Sequence, residues 1–352
     1  MKLFFKSILL CVLLWAIQSL AAPITFVFTS DPHYGVYKES FRGAQQVSAS
    51  SVNQAMLATV PILAKSNFPS DGGVGAGQLI GAPSFLVQGG DIANRQDAEE
   101  NIQSASISWS QFAHDYLQSS FPVYMIPGNH DLDNALGSHK HLKPDVDAGA
   151  YLGIYNAMMN PATPVDAAHF DYLHQPIQFA HDIGGVHMEF VTLWPDARAR
   201  RWMATDLAKV KTGTPVLLFA HADIEPEDKF FTTEKSQKHN WLPQLEGSLN
   251  DTPQLDQFLV THPQIKAYFH GHTHCTKFRT YQGTTALHLP VFGVDSPMKG
   301  DISANDESKL SYLVITLDSA AGRMTVRECF WNVGKRAGSP LQWGESQTIP
   351  LR

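Results

Sequence analysis

The sequence predicts an α/β fold: two packed sheets flanked by helices, in one domain. Three observations predict it. The front half alternates apolar, β-branched runs with amphipathic stretches. The back half is a succession of strand-like runs separated by turn residues. Short polar motifs sit just after strand-like runs, where strand ends in an α/β fold face a common crevice.

Taken in order, Ile24–Thr29 is apolar and β-branched and reads as a buried strand. Residues 51–65 have helical periodicity. A Gly-rich loop at 71–77 precedes a second buried strand at 84–88. Residues 97–119 read as a long amphipathic helix with Ile107, Phe112 and Leu117 among its apolar positions, and a third strand follows at 122–126. Strands are then expected at 186–193, 215–220 and 265–270, with a helix at 201–211. The last part is strand-rich, at 277–281, 285–292, 311–317 and 324–331. Residues 137–149 and 226–247 are polar connections long enough to be functional loops. No internal repeat and no disordered linker is evident.

The chain has 352 residues, enough for a substantial core, and its 43% hydrophobic content is that of a globular protein. A formal net charge of -7 argues against wrapping nucleic acid, which needs a basic face, but is compatible with a small phosphate pocket. The start of the chain reads as an export signal, residues 1–21. Lys2 and Lys6 precede an apolar run at 8–17, and Ser19-Leu20-Ala21 offers small residues for cleavage after Ala21. The expected mature domain is 22–352, secreted or periplasmic. An uncleaved anchor is the alternative, but the run is short for a span of about 20 residues, so no stable membrane insertion is expected. Cys11 has no small-residue lipobox before it. Cys275 and Cys329 remain in the mature chain, and an oxidising compartment would allow them to pair.

Five motifs carry the chemistry: Asp31-Pro32-His33, Gly90-Asp91, Gly128-Asn129-His130-Asp131, His221, and Gly271-His272-Thr273-His274. Each follows a strand-like run, so groups far apart in sequence can converge. Their ligand types are carboxylate, imidazole and amide oxygen. That set suits divalent transition metals such as Mn, Fe or Zn, or else Mg, and leaves the identity open. Two metals would polarise phosphoryl oxygens, lower the pKa of a bridging water and template in-line attack. Asp91 is the natural bridging carboxylate.

In type and order these motifs resemble the calcineurin-like metallophosphoesterases. The resemblance spans residues 31–274. It implies a four-layer α/β/β/α sandwich with two mixed sheets. It also implies Asp31, His33, Asp91 and His274 on one metal, and Asp91, Asn129, His221 and His272 on the other. It implies that His130 is not a ligand: it contacts the phosphate together with Asn129 and protonates the leaving oxygen. A His⁺ near neutral pH has the proton an alkoxide needs; the alternative for His130 is simple phosphate binding. The expected activity is metal-dependent hydrolysis of a phosphomonoester or phosphodiester carried on a small phosphorylated substrate. The rival class is a catalytically silent phosphate-binding or structural protein on the same fold, which would need missing ligands. The sequence departs from two branches at Asn94. Protein Ser/Thr phosphatases have a second Asp there that supports the catalytic His, and purple acid phosphatases place a metal-binding Tyr at this point. An amide can orient an imidazole but cannot supply charge to hold its proton.

Other polar residues have ordinary readings. Arg198, Arg200 and Arg201 begin a helix after Trp194-Pro195-Asp196, with Trp202 packed inward. A second phosphate site there is the less favoured reading, because no metal motif is adjacent. Lys229, Lys235, Lys238 and His239 follow His221 in a long loop, as pocket rim or as surface charge. His114, His139, His141, His169, His174, His181, His187, His262 and His288 have no ligand spacing and read as surface or satisfied core residues. Cys275 would point away from His272 and His274 along an extended segment. Substrate identity and oligomeric state are not legible.

Overall fold

In the computed structural model the described residues are 22–96, 103–118, 121–137, 146–226, 251–283 and 287–352. The export signal at 1–21 lies outside them, as do His139, His141, Lys229, Lys235, Lys238 and His239 and most of the 226–247 connection. The front half runs β1 (Ile24–Thr29), a hairpin of β2 (Tyr37–Phe41) and β3 (Ala44–Ser48), α1 (Ala49–Leu57), α2 (Val60–Leu63), β4 (Leu86–Gln88), α3 (Ala105–Tyr116), β5 (Val123–Met125), α4 (Asn129–Leu136) and α5 (Gly149–Met159). There follow β6 (Gln178–Ile183), β7 (Val186–Val191), α6 (Ala197–Leu207), β8 (Val216–Phe219), α7 (Thr252–Thr261), β9 (Ile265–His270), β10 (Lys277–Tyr281) and β11 (Leu289–Gly293). The chain ends on β12 (Ser311–Asp318), β13 (Arg323–Phe330) and β14 (Gln342–Pro350).

The strands form two six-stranded mixed sheets, ordered β14-β13-β12-β1-β4-β5 and β10-β11-β9-β8-β7-β6. β1, β4 and β5 are parallel neighbours, while β12 pairs antiparallel with β1. In the second sheet β7, β8, β9 and β11 are parallel. This parallelism matters for the site, because it brings the carboxyl ends of β1, β4 and β5, and of β8 and β9, to one edge of their sheets.

The core explains why those ends are fixed. Phe179, Phe190, Phe219, Phe269 and Phe292 stand side by side across β6, β7, β8, β9 and β11, with successive ring centroids 4.6, 4.8, 4.9 and 5.1 Å apart. From the other sheet Phe28 meets Phe219 and Phe269 edge-on at 5.8 and 5.7 Å. Large aromatic areas and favourable ring geometry lock the two sheets together. One contiguous apolar cluster runs from Phe26 to Leu351.

Several expectations shift by a few residues for local reasons. The 51–65 helix is broken into α1 and α2: Pro61 opens the second piece, and the Thr59 hydroxyl donates to Met56 O at 2.6 Å. The 97–119 helix starts at Ala105, where Ser104 caps Ile107 N–H at 3.3 Å. Its buried face is Ala105, Ser108, Phe112 and Tyr116. Ile107 and Leu117, expected inward, are exposed. The 201–211 helix begins earlier, at Ala197, because Asp196 caps Ala199 N–H at 2.7 Å. Arg200 is buried against Asp251 at 2.9 Å and Arg198 covers the Tyr172 ring, so both have structural partners. Cys275 and Cys329 are free thiols, and burial pushes Cys329 up to about 12. Among the described residues no helix is long and apolar enough to cross a membrane.

Candidate metal centre

All seven expected ligands converge. Asp31, His33, Asp91 and His274 bring ligand atoms within 4.8 Å of one another, and so do Asp91, His221 and His272. Asn129 joins the second group, its Oδ1 3.2 Å from His221 Nε2. Asp91 belongs to both groups. Its Oδ1 lies 3.4 Å from His221 Nε2 and its Oδ2 3.9 Å from His33 Nε2.

The local backbone is bent to achieve this. Asp31, His33, Asp91, His272 and His274 all have positive φ, between 42° and 63°. Non-glycine residues rarely adopt this conformation, at a cost of about 1–2 kcal/mol each. The packed strands before them hold them there. Glycine is required at two neighbouring points. A Cβ on Gly128 would collide with the Asp91 carboxylate, and one on Gly271 with Ser30 and Asp31. Asp131 ties two motif loops together: its carboxylate accepts N–H bonds from Ile92, Ala93 and Gly128 at 3.1, 2.9 and 2.9 Å.

The donor set fits a pair of cations. Among the described residues Asp31 Oδ1 is buried with no hydrogen-bond donor, yet it lies 3.2 Å from His274 Nε2. The Nε2 atoms of His33 and His274 are 3.1 Å apart. His221 Nδ1 donates to Gly89 O at 2.8 Å, which leaves Nε2 free to face Asp91 and Asn129. That arrangement orients an imidazole for ligation. Burial opposes ionisation of Asp91, but His130 and His221 outweigh it and hold its carboxyl well below the usual range. Burial likewise opposes a charge on His221; Asp91 and Asp31 overcome it and raise the imidazole to about 9. The same carboxylates would attract a divalent ion. His33 is pushed well below its ordinary value, first by burial and then by Lys299, which keeps it in the neutral form that a metal could take as a ligand.

His130 is half-buried beside these groups, its Nε2 3.8 Å from Asp91 Oδ2. Its partner differs from the one considered in the sequence. The Asn94 amide does not orient it; the Arg95 backbone N–H donates to His130 Nδ1 at 2.8 Å. Asn94 instead accepts from Lys299 Nζ and donates to Arg95 O. Sequence reasoning missed Lys299. It sits in no motif, and it enters through a loop anchored by Ser296, whose hydroxyl donates to Asp31 O at 2.7 Å and accepts Lys299 N–H at 2.9 Å. Cys275 takes no part in the cluster, its Sγ pointing to Thr276 O.

The sequence model of the calcineurin-like phosphoesterases matches residues 24–276. None of the curated proteins compared with the chain matches it. Among solved structures, a dimetal phosphatase from Danio rerio superposes with a TM-score of 0.55 at 11% identity, covering 94% of this chain and 99% of that one. A calcineurin-like phosphoesterase, YfkN from Bacillus subtilis, aligns at 12% identity with a TM-score of 0.40, covering 94% and 91%. At such identity the first likeness speaks to the fold, while the family match spans more than half of the chain and includes every motif at the site. The chain belongs to the calcineurin-like phosphoesterase family and is a metal-dependent phosphoric ester hydrolase.

Proposed function

We propose that the protein is an exported two-metal phosphoesterase that hydrolyses a phosphomonoester or phosphodiester of a small substrate. The observation that carries this reading is Asp91, whose two carboxylate oxygens face two separate groups of ligand atoms. Asp31, His33, Asp91 and His274 would hold one ion, and Asp91, Asn129, His221 and His272 the other. Such a pair supplies charge neutralisation at the phosphoryl group and an activated water for in-line attack. The set of imidazole, carboxylate and amide oxygen favours Mn, Fe or Zn.

The chain's own residues do the rest. With Nδ1 accepting from Arg95, a neutral His130 carries its proton on Nε2, facing Asp91. We assign it as a hydrogen-bond donor to the phosphoryl or departing oxygen. Donors preset toward developing charge are worth about 10²–10³ in rate. A general-acid role is the second reading. It requires a proton on Nδ1 as well, which breaks the Arg95 bond, and it is favoured by the Asp91 carboxylate 3.8 Å from Nε2. Lys299 brings a cation to the same side and suits the non-reacting phosphoryl oxygens. The proposal includes the α/β/β/α layering, a single domain over 22–352, cleavage after Ala21 and release into the periplasm or medium.

One experiment tests the whole reading. Purified protein is assayed for bound metal and for hydrolysis of p-nitrophenyl phosphate against bis-p-nitrophenyl phosphate, before and after chelation. Full activity without metal would overturn it. N-terminal sequencing and fractionation test export; intact Met1 with activity in the membrane pellet would replace the soluble enzyme with an anchored one.

A further inference from the structure

A second cluster of ligating groups lies at the other end of the second sheet. His187 and Glu189 are two residues apart on β7, so their side chains leave the same face of the sheet. There they meet Asp206 of α6. One ligand atom from each of the three lies within 4.8 Å of the others. His187 pairs with Val216, the first residue of β8, whereas His221 follows the last one, so the catalytic centre and this cluster occupy opposite ends of the same strands.

Glu189 is the unusual member. It is 0% exposed, and among the described residues neither of its carboxylate oxygens has a hydrogen-bond partner. Buried polar atoms are almost always satisfied, because an unmade bond leaves their desolvation uncompensated. Nothing among the described residues supplies those bonds. A cation would.

The neighbours of Glu189 fit that role. His187 Nδ1 is 2.8 Å from Asp182 Oδ1, its cross-strand partner on β6. Asp182 accepting from Nδ1–H turns the Nε2 lone pair inward, the carboxylate–histidine arrangement that orients imidazoles on metals. His187 Nε2 is 2.9 Å from Asp206 Oδ2, close enough for both to reach one ion at about 2.1 Å. A cleft lined by Asp182, His187, Asp206, Lys209, Lys211 and Thr214 opens the cluster to solvent. A divalent ion leaves the carboxylates of Asp182, Glu189 and Asp206 with one negative charge in excess, and the two lysines at the mouth face it.

We propose that His187, Glu189 and Asp206 form a metal site for a divalent transition ion, separate from the catalytic pair and with a structural role. One imidazole and two carboxylates suit Zn²⁺ or Mn²⁺. The ion would pin α6 to β7, with the cleft supplying solvent for any open coordination position.

The test is a difference in stoichiometry. Full-length folded protein is loaded with Zn²⁺, and separately with Mn²⁺, desalted, and its metal counted per chain. Wild type should hold one ion more than Glu189→Gln with at least one of the two metals, while the rate of aryl phosphate hydrolysis is the same. Asp206→Asn, a conservative change at a part-exposed position, should lose the same ion and serves if the Glu189 variant does not fold. Wild-type Tm should rise with the added metal, and that rise should shrink in both variants. Equal metal content in wild type and both variants, with either metal, would overturn the site and leave Glu189 as a buried protonated acid. The reading as a two-metal esterase is tested separately, since it concerns the ions that remain.

Discussion

The backbone N–H of Arg95 donates to His130 Nδ1 across 2.8 Å, which puts the proton of a neutral ring on Nε2. This bond separates two roles for the same residue. A donor that only shares its proton stabilises phosphoryl charge whatever the leaving group. A general acid matters most when the departing oxygen is a poor leaving group. His130→Ala should keep both metals and lose about 10²–10³ in rate, equally on p-nitrophenyl and alkyl phosphates. A loss much larger on the alkyl ester identifies full proton transfer and moves His130 to the general-acid reading.

Among the described residues Asp91 is the carboxylate shared between the two candidate ligand groups. Asp91→Asn keeps its shape but removes the charge, and it also weakens the acceptor for His130 N–H at 2.8 Å. Metal content and hydrolysis should fall together, while chelated wild type should regain activity when Mn²⁺, Fe²⁺ or Zn²⁺ is returned. Metal analysis beside the rate assay checks it; a variant with full metal content and little activity would argue against the bridge.

Gly128 contributes no ligand, yet a methyl group there would occupy the space of the Asp91 carboxylate. Gly128→Ala should therefore mimic loss of Asp91: a folded protein by circular dichroism, with reduced metal occupancy and activity down by at least an order of magnitude, since small displacements of a catalytic constellation are costly. Wild-type metal content in this variant would show that the loop yields without moving Asp91.

How much of this was legible follows from which signal each element carries. β1, β9 and β10 match the expected runs end to end. The seven candidate ligands could be picked out before the structure because the motif residues mark strand ends, and the fold brings them together. α4 was not expected, because its buried side is mostly polar: Asn129, Asp131, Asp133 and Asn134 are buried and only Leu132 and Ala135 add apolar positions, so the hydrophobic periodicity is weak. β14 escaped because most of it is exposed or half-exposed along the edge beyond β13. Lys299 and the Arg95 N–H escaped for another reason. One reaches the site from a loop with no motif, and the other acts through the backbone, which has no side-chain identity to read. His187 read as an ordinary surface or core histidine because its contacts with Asp182 and Asp206 and its approach to Glu189 exist only in the tertiary structure.

Asp295 gives a pH prediction away from the metal ligands. It is buried, and its Oδ2 has no partner among the described residues. Burial, partly offset by Ser303 and Lys38, raises its pKa from 3.8 to about 7. The native state therefore binds a proton that the unfolded chain releases above pH 3.8. Its contribution to stability is fully present below that value and is lost as pH rises through about 7. Asp295→Asn keeps the size of the side chain and cannot ionise. The stability difference, wild type minus variant, should therefore fall between pH 4 and pH 7 by up to a few kcal/mol, with a slope of at most about 1.4 kcal/mol for each step of one in pH. Urea unfolding at several pH values measures it, and subtraction removes the contribution of other titrating groups. A difference that stays flat over this range would mean that Asp295 is ionised in the native protein, with its charge met by Lys38.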